Sequence, residues 1–406
     1  MLYNLCVWMF MVGVYYCLLP LLTSLAWQLG AAGACVVAGI FLCLPKWRVI
    51  SVHERTDQEI LQQNKRSVGI DFVKTIAIVL VFTFHFLFAI GFYQMPLEGA
   101  GMFVKTCIRW ASAVCVPLFI VITGYLQGTK KPTRGYYLKF AFPVSSYLLN
   151  ACLLIIYLWI RSGSVSIDIL RGLVNLDLYW YINMYFGLYL MIPLLNLAWN
   201  AFNKKGQEII LVTLTILTSL YTVTNGWTTG YWPALYPVLL YYTGAFIRRY
   251  RIQCSRWLLG GIYLAASLLA AIKCYFTLHG GVFQWNLFGA FCNEYNSLLV
   301  IGATVSLFLL CYEFKSRTKW LIRLLRYVAV SSLEIYLLTV TNFGSQFSYF
   351  FVRYLPNTHV IVVYGIALSL SMFFNTLLGY WLHKLSTRMG NRLILVIERK
   401  NKLKAI

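Results

Sequence analysis

The chain has 406 residues, of which 60% are apolar and 17% aromatic against only 11% charged. Soluble domains run about 45–50% apolar and about 25% charged, so a soluble domain, a disordered chain, collagen and a disulfide scaffold are excluded. The net charge of +22 would suggest nucleic acid in a soluble protein, but the basic residues sit in short clusters between long apolar runs and form no continuous stripe. The composition is that of an all-α polytopic membrane protein.

A spanning helix needs about 20 mostly apolar residues. In chain order the candidates lie near 3–24, 28–45, 71–92, 107–128, 140–160, 178–199, 208–224, 234–247, 257–278, 294–312, 327–351 and 360–382, which makes twelve. The first lacks a basic leader and is followed, after Trp27 and Gln28, by a second apolar segment. It therefore reads as half of an uncleaved hairpin, residues 1–45, rather than as a signal peptide. Residues 46–70 carry both charge signs and read as a cytoplasmic linker or a surface-lying helix. Residues 71–385 form the membrane body, and 386–406 a basic cytoplasmic tail.

Orientation follows from the basic clusters. Those at 46–66, 130–139, 204–205, 248–256, 315–326 and 384–404 hold 27 of the 34 Lys and Arg residues. All fall on one side if twelve spans alternate, and that side is the cytoplasm. Both termini are expected there. The eleven cysteines show no CxxC spacing and no Cys/His cluster, so they read as small hydrophobes, and no metal site is expected.

Ionisable residues at membrane depth are expensive and therefore informative. The third span carries Asp71, Lys74 and His85. Asp71 and Lys74 are three residues apart and can pair on one face. Lys74 and His85 are eleven apart, about three turns, so they share a face at a separation of roughly 16 Å along the axis. A thioester carrier arm fits such a stripe, with the cation at its anionic end and the imidazole at the reacting end. The structural alternative is a pair of interfacial residues and a histidine bonded to a neighbouring helix. Further along, Pro117 and Gly124 mark a kink or close approach in 116–128, and Glu334 lies just inside another span, where an intramembrane cation would pair with it. Arg109 and Glu294 sit at membrane boundaries. Trp227, Tyr231, Trp232 and Trp285 at the outer ends either stack on sugar rings or anchor the interface.

Together these stretches resemble acyltransferase family 3, integral-membrane acyltransferases acting on surface glycans. Arg66, Ile70, Asp71, Lys74, Ala77, Val81 and His85 occupy the family's opening pattern. VPLFIVITGY at 116–125, LYWYINMYFGLYLMIPLL at 178–195 with Trp180 and Pro193, and SSLEIYLLT at 331–339 match three later motifs. The similarity covers roughly 66–385 and implies a ten-helix body, which with the N-terminal hairpin gives the twelve spans. It implies an O-acetyltransferase of the cell envelope, in a bacterial plasma membrane, using acetyl-CoA or another acyl-CoA as donor substrate with no bound cofactor. The acceptor is a hydroxyl of a surface polysaccharide or its lipid-linked precursor. His85 matches the family's essential histidine. Lys74 stands where the family usually has arginine, which keeps the charge and loses the bidentate fork. Thr339 replaces a histidine often found there, so no second imidazole is expected in the mechanism.

On this reading His85 is the general base and Asp71 positions Lys74. Lys74, Arg66, Arg109, Lys130, Lys131, Arg134, Lys139, Trp180 and Glu334 hold the substrates, and Thr123 or Tyr125 donates to the oxyanion. The rival reading is a polysaccharide or lipid-linked glycan transporter, which would more often show related halves or more cations within the spans.

Overall fold

A computed structural model describes residues 50–62, 66–176, 179–220, 232–284, 293–340 and 360–403, with scattered positions between 8 and 36. The expected N-terminal hairpin falls largely outside the described residues, as do Trp227, Tyr231 and Trp285. In chain order the elements are β1 (Ile50–Glu54), α1 (Asp57–Gln62), α2 (Val68–Ala89), α3 (Gly99–Ser112), α4 (Cys115–Gln127), α5 (Arg134–Leu138), α6 (Ala141–Ser162) and α7 (Ile167–Val174). They continue with α8 (Trp180–Asn200), α9 (Lys204–Thr215), α10 (Tyr236–Arg249), β2 (Tyr250–Cys254), α11 (Arg256–Thr277), α12 (Leu298–Cys311), α13 (Lys319–Val330), α14 (Ser332–Val340) and α15 (Val360–Leu403).

Among the described residues, six helical stretches are long and apolar enough to cross a membrane: Val68–Ala89, Gly99–Gln127, Arg134–Ser162, Trp180–Asn200, Arg256–Thr277 and Gly365–Arg399. The described parts of the expected spans near 208–224, 234–247, 294–312 and 327–351 hold the helices α9, α10, α12 and α14, and residues 221–224 and 341–351 of them lie outside the described residues. The second and third stretches are each built from two helices. Between α3 and α4 the chain breaks at Ala113 and Val114, four and three residues before Pro117. A proline ring collides with the carbonyl four residues back, whereas a proline in the first turn costs no hydrogen bond. The helix therefore restarts just ahead of it.

One feature departs from the sequence expectation. Residues 50–54, read as linker or surface helix, form a strand paired antiparallel with β2, with Val52 opposite Ile252. Alternating β-branched and polar residues favour this ribbon. After it, Thr56 and Glu59 form a capping box: the Thr56 amide donates to Glu59 Oε2 at 2.8 Å, and the Glu59 amide to Thr56 Oγ1 at 3.3 Å. These bonds hold the Glu59 carboxyl below the usual carboxylate range. The basic tail expected from residue 386 is helical in its described part. It continues α15 without interruption to Leu403, because Leu, Lys, Arg and Glu are good helix formers.

The chain divides into two compact units, one of Met1–Val73, Gly91–Gly128 and Ala198–Lys315, the other of Lys74–Ile90, Thr129–Leu197 and Ser316–Ile406. In the first, α10 packs on α4, and α11 on α12 and α3. In the second, α15 packs on α6 and α14, and α14 also packs on α6.

Candidate active site

Helix α2 carries the central residues. His85 is half-buried, with its ring between those of Phe84 and Phe88 at 5.7 and 6.0 Å. Its Nδ1 lies 2.9 Å from the Val81 carbonyl. A carbonyl only accepts, so Nδ1 carries the proton, and in the neutral ring Nε2 carries the lone pair. Lys74 is half-buried, and the continuous helix keeps it about three turns from His85 on the same face.

Asp71 is buried and takes Arg66 as its partner in a two-point contact, Nε to Oδ2 at 2.8 Å and Nη2 to Oδ1 at 2.9 Å. The planar fork of Arg66 matches both carboxylate oxygens, and Arg66 lies in the extended approach to the helix, able to fold back. The i,i+3 pairing of Asp71 with Lys74 is not displaced by this contact.

Thr123 and Tyr125 occupy the last turns of α4. The Thr123 hydroxyl donates to its own Phe119 carbonyl at 2.8 Å, so its proton is already engaged. Tyr125 is buried beside Phe308 and Tyr312 at 5.6 and 5.8 Å. Arg248 on α10, itself buried, donates to the Tyr125 carbonyl at 2.7 Å. Gly124 serves helix contact: a Cβ there would run into the Tyr241 carbonyl, and one on Gly244 into the Val121 carbonyl. The glycine of the 116–125 motif thus lets α4 and α10 approach backbone to backbone.

Arg109 on α3 is fully buried, its guanidinium 4.6 Å from the Trp110 ring and 4.2 Å from that of Phe283. Stacking between aromatic faces suits a weakly hydrated planar cation. The side chain of Glu294 lies outside the described residues.

The second unit holds the basic segment. Lys130, Lys131, Arg134 and Lys139 are all exposed. The segment is tied down by Asn196 Nδ2, which donates to the Lys130 carbonyl at 2.8 Å, and by Thr133, which caps α5. Trp180 opens α8 and is 40% exposed. Farther along α8, Pro193 removes the amide that would bond the Tyr189 carbonyl, and the Tyr136 hydroxyl donates to that carbonyl instead, at 2.7 Å. The proline of the 178–195 motif is thereby accommodated without an unsatisfied group.

Glu334 on α14 is buried, and its Oε1 accepts from Ser146 of α6 and Ser386 of α15, each at 2.7 Å, and lies 3.2 Å from His383 Nδ1. The sequence asked for an intramembrane cation here, and His383 is the residue it did not name. It also passed over Arg248 and Lys273, both buried, although Lys273 interrupts the apolar run of α11 and was visible on that ground.

No curated protein and no solved structure matches the chain. A family model described as an acyltransferase domain matches residues 67–386. That stretch contains every candidate residue above except Arg66, and on it the chain belongs to acyltransferase family 3: it is a membrane acyltransferase.

Proposed function

We propose that the protein is an O-acetyltransferase that moves an acetyl group from acetyl-CoA to a hydroxyl of a cell-surface polysaccharide or its lipid-linked precursor, with His85 as general base. The observation that carries this is the His85 tautomer: Nδ1 is bound to Val81, which leaves Nε2 to accept the hydroxyl proton. The deprotonated oxygen attacks the thioester carbon, the C–S bond breaks, and the proton on Nε2 passes to the departing CoA thiolate. Proton and charge balance without a further reactant. Lys74 and the basic segment Lys130–Lys139 hold the anionic end of CoA, and the roughly 16 Å between Lys74 and His85 suits the extended arm that separates phosphate from thioester. Asp71 fixes Arg66 at the start of the same helix. Arg109, Tyr125, Trp180 and Glu334 serve substrate binding and its support, and Tyr125 is preferred to Thr123 as oxyanion donor because the Thr123 proton is engaged. Twelve spans, a ten-helix body and cytoplasmic termini in a bacterial plasma membrane complete the reading, and place the basic clusters where CoA arrives.

The test compares glycan acetylation by mass spectrometry in strains with the wild-type gene, a deletion, and His85→Ala. Acetyl groups present only with the wild type are expected. A pattern unchanged by deletion would redirect attention to a glycan transporter, and a His85→Ala enzyme acetylating at the wild-type rate would remove the base assignment alone.

A further inference from the structure

Three helices of the second unit meet at one polar point. Glu334 is 2% exposed, and one of its oxygens collects Ser146, Ser386 and His383, from α6 and α15. Its other oxygen, Oε2, is buried with no hydrogen-bond partner among the described residues. A carboxylate in that position keeps its charge only against a cation, and among the described residues the basic side chain within 4.0 Å of it is that of His383.

The ring of His383 is thus fixed by Nδ1, while its side chain remains 33% exposed. Nε2 makes no hydrogen bond among the described residues and is the atom left to meet a ligand. A protonated ring would present an N–H donor at this atom. The surroundings say what such a donor would meet. Lys384, Arg388 and Arg392 follow on α15. Lys319, Arg323 and Arg326 lie on α13, which leads into α14 and packs on α15. Arg134 and Lys139 precede α6, and Ser146 lies in the second turn of that helix. Basic residues accumulate at this end of all the helices concerned, and Glu334 Oε1 is engaged by internal bonds. Such a field concentrates polyanions.

We infer that His383, oriented by Glu334, is a binding residue for a phosphate of the acyl donor, and that Glu334 is a positioning residue acting through it. This rests on the acyl-CoA reading above and adds a third class of contact to its lysines and arginines. The same chemistry is offered by a lipid phosphate, so the test must tell the two apart.

Purified protein in nanodiscs, of phosphatidylcholine alone or mixed with phosphatidylglycerol, is titrated with coenzyme A by calorimetry. His383→Gln should weaken binding about tenfold, as loss of one charged hydrogen bond would. His383→Arg, which restores a permanent cation, should return it to within about threefold. Glu334→Gln should resemble His383→Gln, and in turnover assays both should raise KM for the donor while leaving kcat unchanged. Equal CoA affinity for wild type and His383→Gln overturns the inference. So does a His383→Gln protein that keeps its CoA affinity and loses only retained phosphatidylglycerol in native mass spectrometry, which gives the site to lipid. A substitution that lowers kcat and melting temperature together without moving KM assigns the cluster to helix packing and also overturns it. A wild-type protein that binds no coenzyme A defeats the donor reading itself, a distinct result.

Discussion

At the scale of single residues, hydrogen-bond partners separate groups that spacing left equivalent. Asp71 stands three residues from Lys74 and five from Arg66, and i,i+3 geometry favoured the lysine. The Arg66 guanidinium meets both carboxylate oxygens at once. Asp71→Asn should cost about 1–2 kcal/mol, since the carboxylate is buried while the arginine side chain is 41% exposed and partly screened. Thermal melting of the detergent-purified variant measures this, and an unchanged melting temperature would show the pair to be idle. Arg66→Lys, which keeps charge but loses the fork, should lie between wild type and Asp71→Asn. For His85 the sequence supplied residue and face, whereas the bond from Nδ1 to Val81 assigns the proton to one nitrogen.

At the scale of elements, the motifs divide into those that serve chemistry and those that serve packing. Pro117 was legible as a disturbance in a span, and the structure turns it into a restart after Ala113. Pro193 was legible as part of a motif, but its compensation by the Tyr136 hydroxyl comes from a residue 57 positions earlier and leaves no trace in local pattern. Gly124 and Gly244 are separated by 120 residues and face each other across α4 and α10. Gly124→Ala should therefore cost roughly 1–3 kcal/mol as an overpacked contact, with a lowered melting temperature and poorer yield. Gly187, which has open space around its Cβ position, should tolerate alanine in the same assay. If both variants melt alike, the close approach carries no stability. The ribbon of β1 and β2 belongs here too: its pattern was readable as a short strand only once a partner 200 residues away was known.

At the scale of the whole molecule, the proposed topology reads the +22 charge as an orientation signal. Reporter fusions test it. A fluorescent protein that matures only in the cytoplasm should shine when fused after residue 139 or after 406, and stay dark after 98 or 165. The opposite pattern would invert the proposed topology and remove the basic clusters from the side where CoA is supplied. Hydropathy made the membrane class and the helical content plain, because about 20 apolar residues in a row have few other uses. It was less able to set the length of each helix. The span inferred near 360–382 continues as α15 to Leu403, and the one near 234–247 is the helix α10; of the one near 327–351, residues 341–351 lie outside the described residues.

The sequence by itself determined the membrane class and the family, because composition, charge clusters and motif order are one-dimensional properties. Only the tertiary structure decided who holds whom: Arg66 on Asp71, Arg248 on the Tyr125 carbonyl, and His383 on Glu334. The last pair joins positions 49 apart on separate helices. Each outcome depends on distances and angles between hydrogen-bonding groups, which folding sets and linear spacing does not encode.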